Sequence, residues 1–186
     1  MRRFLAIPGA VLLAGIYGCG GKSPGGNGGA AGADLDASDP DALVGAVACA
    51  PATYPIDTYA PDMVKVGENN LITFHLVKSE YRDDVAMRTY EGPPQLGNNT
   101  WTLKFAENNG QMPSGDILGH ASMPLHSHPA MAQPVVTLDG ASGTYKAAPV
   151  YLFMVGYWKV EFTVYDGPLG ASSTPVDVAA FNFCID

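Results

Sequence analysis

Residues with metal-binding side chains crowd into one segment of the chain, residues 111–133, which reads QMPSGDILGHASMPLHSHPAMAQ. Three of the four histidines and three of the seven methionines fall there, namely His120, His126, His128, Met112, Met123 and Met131. Imidazole nitrogen combined with thioether sulfur is a ligand set that suits copper, and the sulfur favours the reduced ion. This segment is therefore the first candidate for a functional site.

The stretch MPLHSHP, which begins at Met123, suggests how such a site could form. In extended backbone, His126 and His128 project to the same side, so two imidazoles can reach one metal ion. Pro124 bends the chain, so Met123 can turn back as a third ligand, and His120 could complete the site. The alternative is a surface loop rich in Pro, Ser and Met, in which these side chains only pack the loop.

The N-terminus has the pattern of an export signal. Arg2 and Arg3 precede an apolar run that is too short to span a bilayer, so residues 1–18 are predicted to be a signal peptide. The run ends in IYGC, which resembles a bacterial lipobox and predicts lipidation of Cys19. The expected location is the bacterial cell envelope, anchored by lipid to the outer membrane on its periplasmic or surface face. Tyr17 departs from the lipobox pattern, which leaves an ordinary secretory signal as the alternative.

Residues 19–48 are dominated by Gly, Ala, Ser, Pro and Asp. Such a segment buries too little apolar surface to fold, so it is predicted to be a flexible tether. Its aspartates do not follow the EF-hand calcium pattern, because the required Gly and Glu are missing. The folded domain is therefore expected over residues 49–186.

Composition narrows the range of partners and activities. The chain has 18 acidic and 10 basic residues and a net charge of −8, which argues against nucleic acid as a partner. The sequence lacks the nucleophile elbow, the HExxH motif, the P-loop and the dinucleotide fingerprint. Asp83 and Asp84 are adjacent in sequence and point apart, so they make a poor acid–base pair. A binding or carrier module is favoured over an enzyme.

Cys49 and Cys184 form an even pair in a chain predicted to be exported, where disulfides are stable. No CxxC spacing is present, so a structural disulfide that closes nearly the whole domain is favoured. A redox-active or copper-binding thiol pair is the alternative.

The rest of the chain shows the alternation typical of β-strands. In NTWTLKF (99–105) and YWKVEFTVY (157–165), apolar side chains such as Trp101 and Trp158 alternate with polar ones. Further strands are predicted over residues 63–66, 71–77, 134–138, 149–154 and 179–186. His75 falls on the polar face of its strand and is predicted to be a surface histidine. The spacing indicates an all-β fold, an immunoglobulin-like antiparallel β-sandwich of about seven strands.

Three stretches carry a resemblance to a known family: MPLHSHP, the turn DGASGTY and the segment PVYLFMVGYWKVEF. Together they resemble the YtkA-like or FixH-like exported β-sandwich domains, over roughly residues 60 to 184. The matching positions are Met123, Pro124, His126, His128, Phe153, Met154, Gly156 and Trp158. The chain departs from the family pattern at Ser127, where Gly is common, and at Val155, where Pro or Gly is common.

The resemblance implies an immunoglobulin-like fold in the cell envelope and a role in copper handling. The partner would be a copper ion or a copper-receiving protein, and the protein would serve as a chaperone or buffer. The resemblance also places Met154 across from the histidine stretch as a further ligand, whereas the apolar strand that Met154 ends predicts a core residue. The alternative function, from a different class, is an immunoglobulin-like module that binds a protein or glycan without metal.

We predict that the mature N-terminus is a diacylglyceryl cysteine at Cys19. Mass spectrometry of the N-terminal peptide should show the lipid, and Cys19→Ser should abolish it and release the protein from the membrane. A wild-type protein with an unmodified, soluble N-terminus would contradict the lipobox interpretation.

Overall fold

The computed structural model describes residue 49 and residues 55–140, 143–170 and 172–186. The predicted signal peptide, Cys19 and the tether lie outside the described residues.

Ten strands make up the described fold, and every pairing between them is antiparallel. They are β1 (Met63–Val66), β2 (Ile72–Asp83), β3 (Arg88–Glu91), β4 (Gly97–Glu107), β5 (Ile117–Met123), β6 (His128–Pro129), β7 (Val135–Asp139), β8 (Thr144–Leu152), β9 (Gly156–Tyr165) and β10 (Pro175–Ile185). A 3-10 turn over Pro124–His126 connects β5 to β6.

The strands form two sheets. The larger sheet has the order β1-β2-β4-β8-β7, with β3 also paired to β2, and the smaller has the order β10-β9-β5-β6. The set β2-β4-β8-β7 follows the immunoglobulin order A-B-E-D, and β10-β9-β5 follows G-F-C. The predicted seven-stranded immunoglobulin-like sandwich is therefore confirmed, and β1, β3 and β6 are additions to it.

The core lies between the sheets and is rich in aromatic rings. Trp101 on β4 contacts Phe162 on β9 and both Phe181 and Phe183 on β10, with ring centroids 5.6 to 6.2 Å apart. All four side chains are buried, as the period-two pattern of their strands predicts.

The strand β5 is not among the strands that the sequence predicts. Its residues nevertheless alternate between the core and the outer face, with Gly119 and Ala121 inward. Glycine and alanine are depleted in strands, so the segment gives a weak sequence signal. At Gly119 a Cβ would lie 3.0 Å from Pro134, so the small residue is needed for close packing.

Cys49 and Cys184 form the predicted disulfide, with Cα atoms 5.5 Å apart and a sequence separation of 135. In the chain-entropy model such a loop closure stabilises the fold by about 4–5 kcal/mol. Asp57 lies against the same strand, because its N–H donates to the carbonyl of Asn182 and its carboxylate accepts the Asn182 N–H. The chain that enters the domain is therefore held on β10 by covalent and hydrogen bonds.

A buried carboxylate holds the turn between β1 and β2. Asp177, which is 1% exposed, accepts backbone N–H groups at 2.8 to 2.9 Å from Asn69, Leu71, Ile72 and Val178. Burial raises the pKa of Asp177, but the four donors together outweigh it, so the pKa lies below its ordinary value.

We predict that Asp177→Asn lowers the free energy of unfolding at pH 7 by about 3 kcal/mol. The carboxylate accepts the four N–H groups with two oxygens, whereas the asparagine amide has one acceptor oxygen, so some of the donors lose their acceptor. The folded pKa is depressed, so the wild-type advantage is complete above the ordinary aspartate pKa of about 3.9 and disappears as pH falls through the folded value. Urea unfolding at several pH values between 7 and 3 measures this.

Asp84→Asn is the matched control, because Asp84 is exposed and, among the described residues, its side chain bonds to exposed Arg82 alone. Its effect should stay within about 0.5 kcal/mol. An Asp177 variant that matches this control at pH 7 would contradict the structural role of the carboxylate.

Candidate functional site

The outer face of the smaller sheet carries a row of polar side chains. In register, Ser122 on β5 pairs with Lys159 on β9, which pairs in turn with Asn182 on β10. In the next row His120 pairs with Glu161. These residues alternate with core residues along each strand, so they project away from the core.

Two segments flank this row. The chain at Pro55 lies beside β10, and the loop from Pro124 to Pro129 lies beside β5. Between them is an open cavity of about 690 Å³. Its lining includes Pro55, His120, Ser122, Pro124, Lys159 and Asn182.

Asn182 is the most deeply buried polar residue of this lining, with 8% of its surface exposed. Its side-chain oxygen is buried and has no hydrogen-bond partner within the described residues. An unpaired buried acceptor costs about 1–3 kcal/mol, and such groups are uncommon in native proteins. The floor of the cavity therefore contains an acceptor whose hydrogen-bonding capacity is unused.

The charges of this face are unevenly placed. Lys159 forms an ion pair with Glu161, which lies two residues along the same strand. Lys159 and His120 line the cavity, whereas the described lining includes no carboxylate. Lys159 thus lines the cavity while its ammonium group pairs with the carboxylate of Glu161, which is not part of the lining.

The predicted geometry of the histidine stretch is wrong. Pro124 begins a 3-10 turn that ends at His126, and Ser127 has a left-handed backbone with φ of 54°. Proline favours the first position of a helical turn, so the backbone from Pro124 to Ser127 is not extended. The backbone of His128 pairs with Met123, and the side chain of His128 lies outside the described part of the structure.

Met123 and His120 lie on opposite faces of β5. Met123 is the last inward residue of the strand and belongs to the core, and although it borders the cavity, none of its surface is exposed. His120 projects outward and is exposed. The structure therefore does not bring the Met123 sulfur and the His120 imidazole together.

Met154 is not the core residue that its apolar strand predicted. It lies in the connection between β8 and β9 and is 36% exposed. Its carbonyl accepts a hydrogen bond of 2.8 Å from the indole N–H of buried Trp158. The hydrogen bond to Trp158 thus fixes the backbone at Met154, whereas the Met154 side chain is in contact with solvent.

Among the described residues, one group of three His, Cys, Asp or Glu side chains places its donor atoms within 4.8 Å of one another. It consists of Cys49, Cys184 and Asp186, and its two sulfurs are joined in the disulfide. His75, predicted to be on the surface, is half-buried and lies 3.0 Å from the carboxylate of Asp62.

The strand pattern predicts that Lys159 lies on a polar face. It does not mark Lys159, Ser122 or Asn182 as site residues. A lone outward polar side chain in a strand is usually only solvated. Their association depends on strand order, which sequence alternation does not contain.

Comparison with protein-family models, with curated proteins and with solved structures finds no match to this chain. The resemblance to YtkA-like and FixH-like domains therefore stays a prediction. Across the described part of the chain, no helix has the length and apolar character needed to cross a membrane.

Proposed function

We propose that this protein is a lipid-anchored binding module of the bacterial cell envelope and not an enzyme. The immunoglobulin-like domain would present a ligand site at the end of a tether of about thirty residues. The export signal and the composition of residues 19–48 support the anchor, and the site on the smaller sheet supports the binding role.

The cavity beside Lys159 is the observation that carries this proposal. Its volume of about 690 Å³ falls in the range of small-molecule sites, which are mostly apolar with a few placed polar groups. Each of its borders is positioned by specific bonds, which are long-range in sequence at Pro55 and local at the opposite loop. The disulfide and Asp57 position the border at Pro55, and pairing of β5 with β6 positions the opposite loop.

We predict that Ser122→Trp fills the cavity and abolishes ligand binding, because Ser122 projects from its floor. Native mass spectrometry of protein released from its own cell envelope should show a bound small molecule in the wild type and none in this variant. Thr163→Trp is the matched control, since Thr163 projects from the same face of β9 but does not line the cavity. Equal ligand content in the two variants would contradict the assignment of the cavity.

Copper binding is a second candidate, and one observation favours it. His120 lines the same cavity as Pro124, Ser127 and Pro129, which belong to the loop that carries His126 and His128. The three histidines of the 111–133 segment thus lie at one end of the smaller sheet. Because Met123 is buried, a copper site here would use imidazole nitrogen, and its cargo would pass to a copper-receiving protein.

We predict that Met123→Leu leaves the affinity for Cu(I) and Cu(II) unchanged, since the thioether is in the core, whereas His126→Ala combined with His128→Ala lowers it at least tenfold. Titrations should use the mature chain with Cys19→Ser, because a free thiol would itself capture copper. Equal affinity in wild type and the double histidine variant would remove the metal role. Weaker Cu(I) binding by folded Met123→Leu would show that the sulfur leaves the core to bind.

A further inference from the structure

The lining of the cavity beside Lys159 is mostly apolar, and apart from the buried side-chain oxygen of Asn182 its polar groups include several hydrogen-bond donors. It contains the ammonium of Lys159, the imidazole of His120 and the hydroxyls of Ser122 and Ser127, and the described lining has no carboxylate. This contrasts with the whole chain, in which acidic residues number 18 and basic residues 10. A cavity with these donors in an acidic protein is suited to a ligand that supplies acceptor oxygens and negative charge.

The borders of the cavity have a different chemistry. Pro55 on one side and Pro124 and Pro129 on the other present rigid apolar rings without side-chain donors. Tyr157 also borders the cavity and is 3% exposed. Apolar borders around a polar floor fit a ligand whose body is apolar and whose head group is polar.

Lys159 occupies the central position of the floor. It lies in register between Ser122 and Asn182, and its side chain is 39% exposed. Glu161 already pairs with Lys159, so a ligand carboxylate must share the ammonium with it or displace it. Removing the charge of Glu161 should therefore strengthen the binding of an anion.

We propose that the cavity binds a small monoanionic ligand with an apolar body, of the monocarboxylate class, and that Lys159 contacts its charged head group. This inference rests on the proposed binding function and specifies the ligand class. The net charge of −8 disfavours a polyanion, because a single contact at Lys159 would not offset the repulsion of several charges.

The test uses 1-anilinonaphthalene-8-sulfonate, an apolar monoanion that fluoresces in apolar sites, with the mature chain carrying Cys19→Ser. We expect saturable binding at one equivalent, displaced by octanoate and not by octanamide, its neutral analogue. Lys159→Met should weaken binding of the probe at least tenfold, and Lys159→Arg should retain most of it. Glu161→Gln should strengthen binding about threefold, as expected for removal of a half-buried ion-pair partner near the surface.

Lys104→Met is the control for a change of net charge, since Lys104 is exposed on the larger sheet, and it should leave binding unchanged. Thermal unfolding of each variant reports whether it folds. Equal competition by octanoate and octanamide, or full binding by Lys159→Met, would overturn the anion class but leave the cavity as the site. Absence of saturable probe binding in the wild type would overturn both the negative charge and the apolar body assigned to the ligand. Probe binding that persists in Ser122→Trp would show that the cavity is not the site, and the proposed function would fail with it.

Discussion

The packing of Trp101 against the opposite sheet is the constraint on which the rest of the structure depends. Its indole, in the middle of the larger sheet, contacts Phe162 on β9 and both Phe181 and Phe183 on β10 of the smaller sheet. Because side chains alternate along a strand, burying these rings obliges Lys159, Glu161 and Asn182 to face outward. The polar floor of the cavity is thus a consequence of how the core is packed, since a register slip of one residue would bury the floor.

The sandwich is closed at its ends by contacts that join distant parts of the chain. Asp177 on the last strand binds the backbone of the first turn, and Cys184 on the same strand bonds to Cys49. The last strand therefore holds both the start of the fold and the segment that borders the cavity. The bonds at Cys184 and Asn182 therefore position the border of the cavity at Pro55, which lies outside the strands.

The histidine segment illustrates a competition between packing and ligation for one side chain. A buried methionine contributes apolar area, and removing it from the core leaves a cavity whose cost is about 2–5 kcal/mol. Met123 would need a metal bond strong enough to offset that loss, whereas exposed His120 would not. The strand β5 therefore separates the His120 imidazole from the Met123 thioether, and of these two only His120 is exposed to solvent.

Sequence alone determined the β class and the strands that carry Trp101 and Phe162, because period-two alternation is a local signal. It favoured the pairing of Cys49 with Cys184, because these two remain once Cys19 is assigned to lipid. It did not reveal β5, whose Gly119 and Ala121 carry little β signal, and it treated Met123 as free to turn toward the histidines. Tertiary structure decided that Met123 belongs to the core, that Met154 reaches solvent, and that Lys159 stands between Ser122 and Asn182. The physical reason is that a strand's pattern defines which side chains share a face, whereas the neighbours across that face depend on strand order and register, which arise only when the sheets pack.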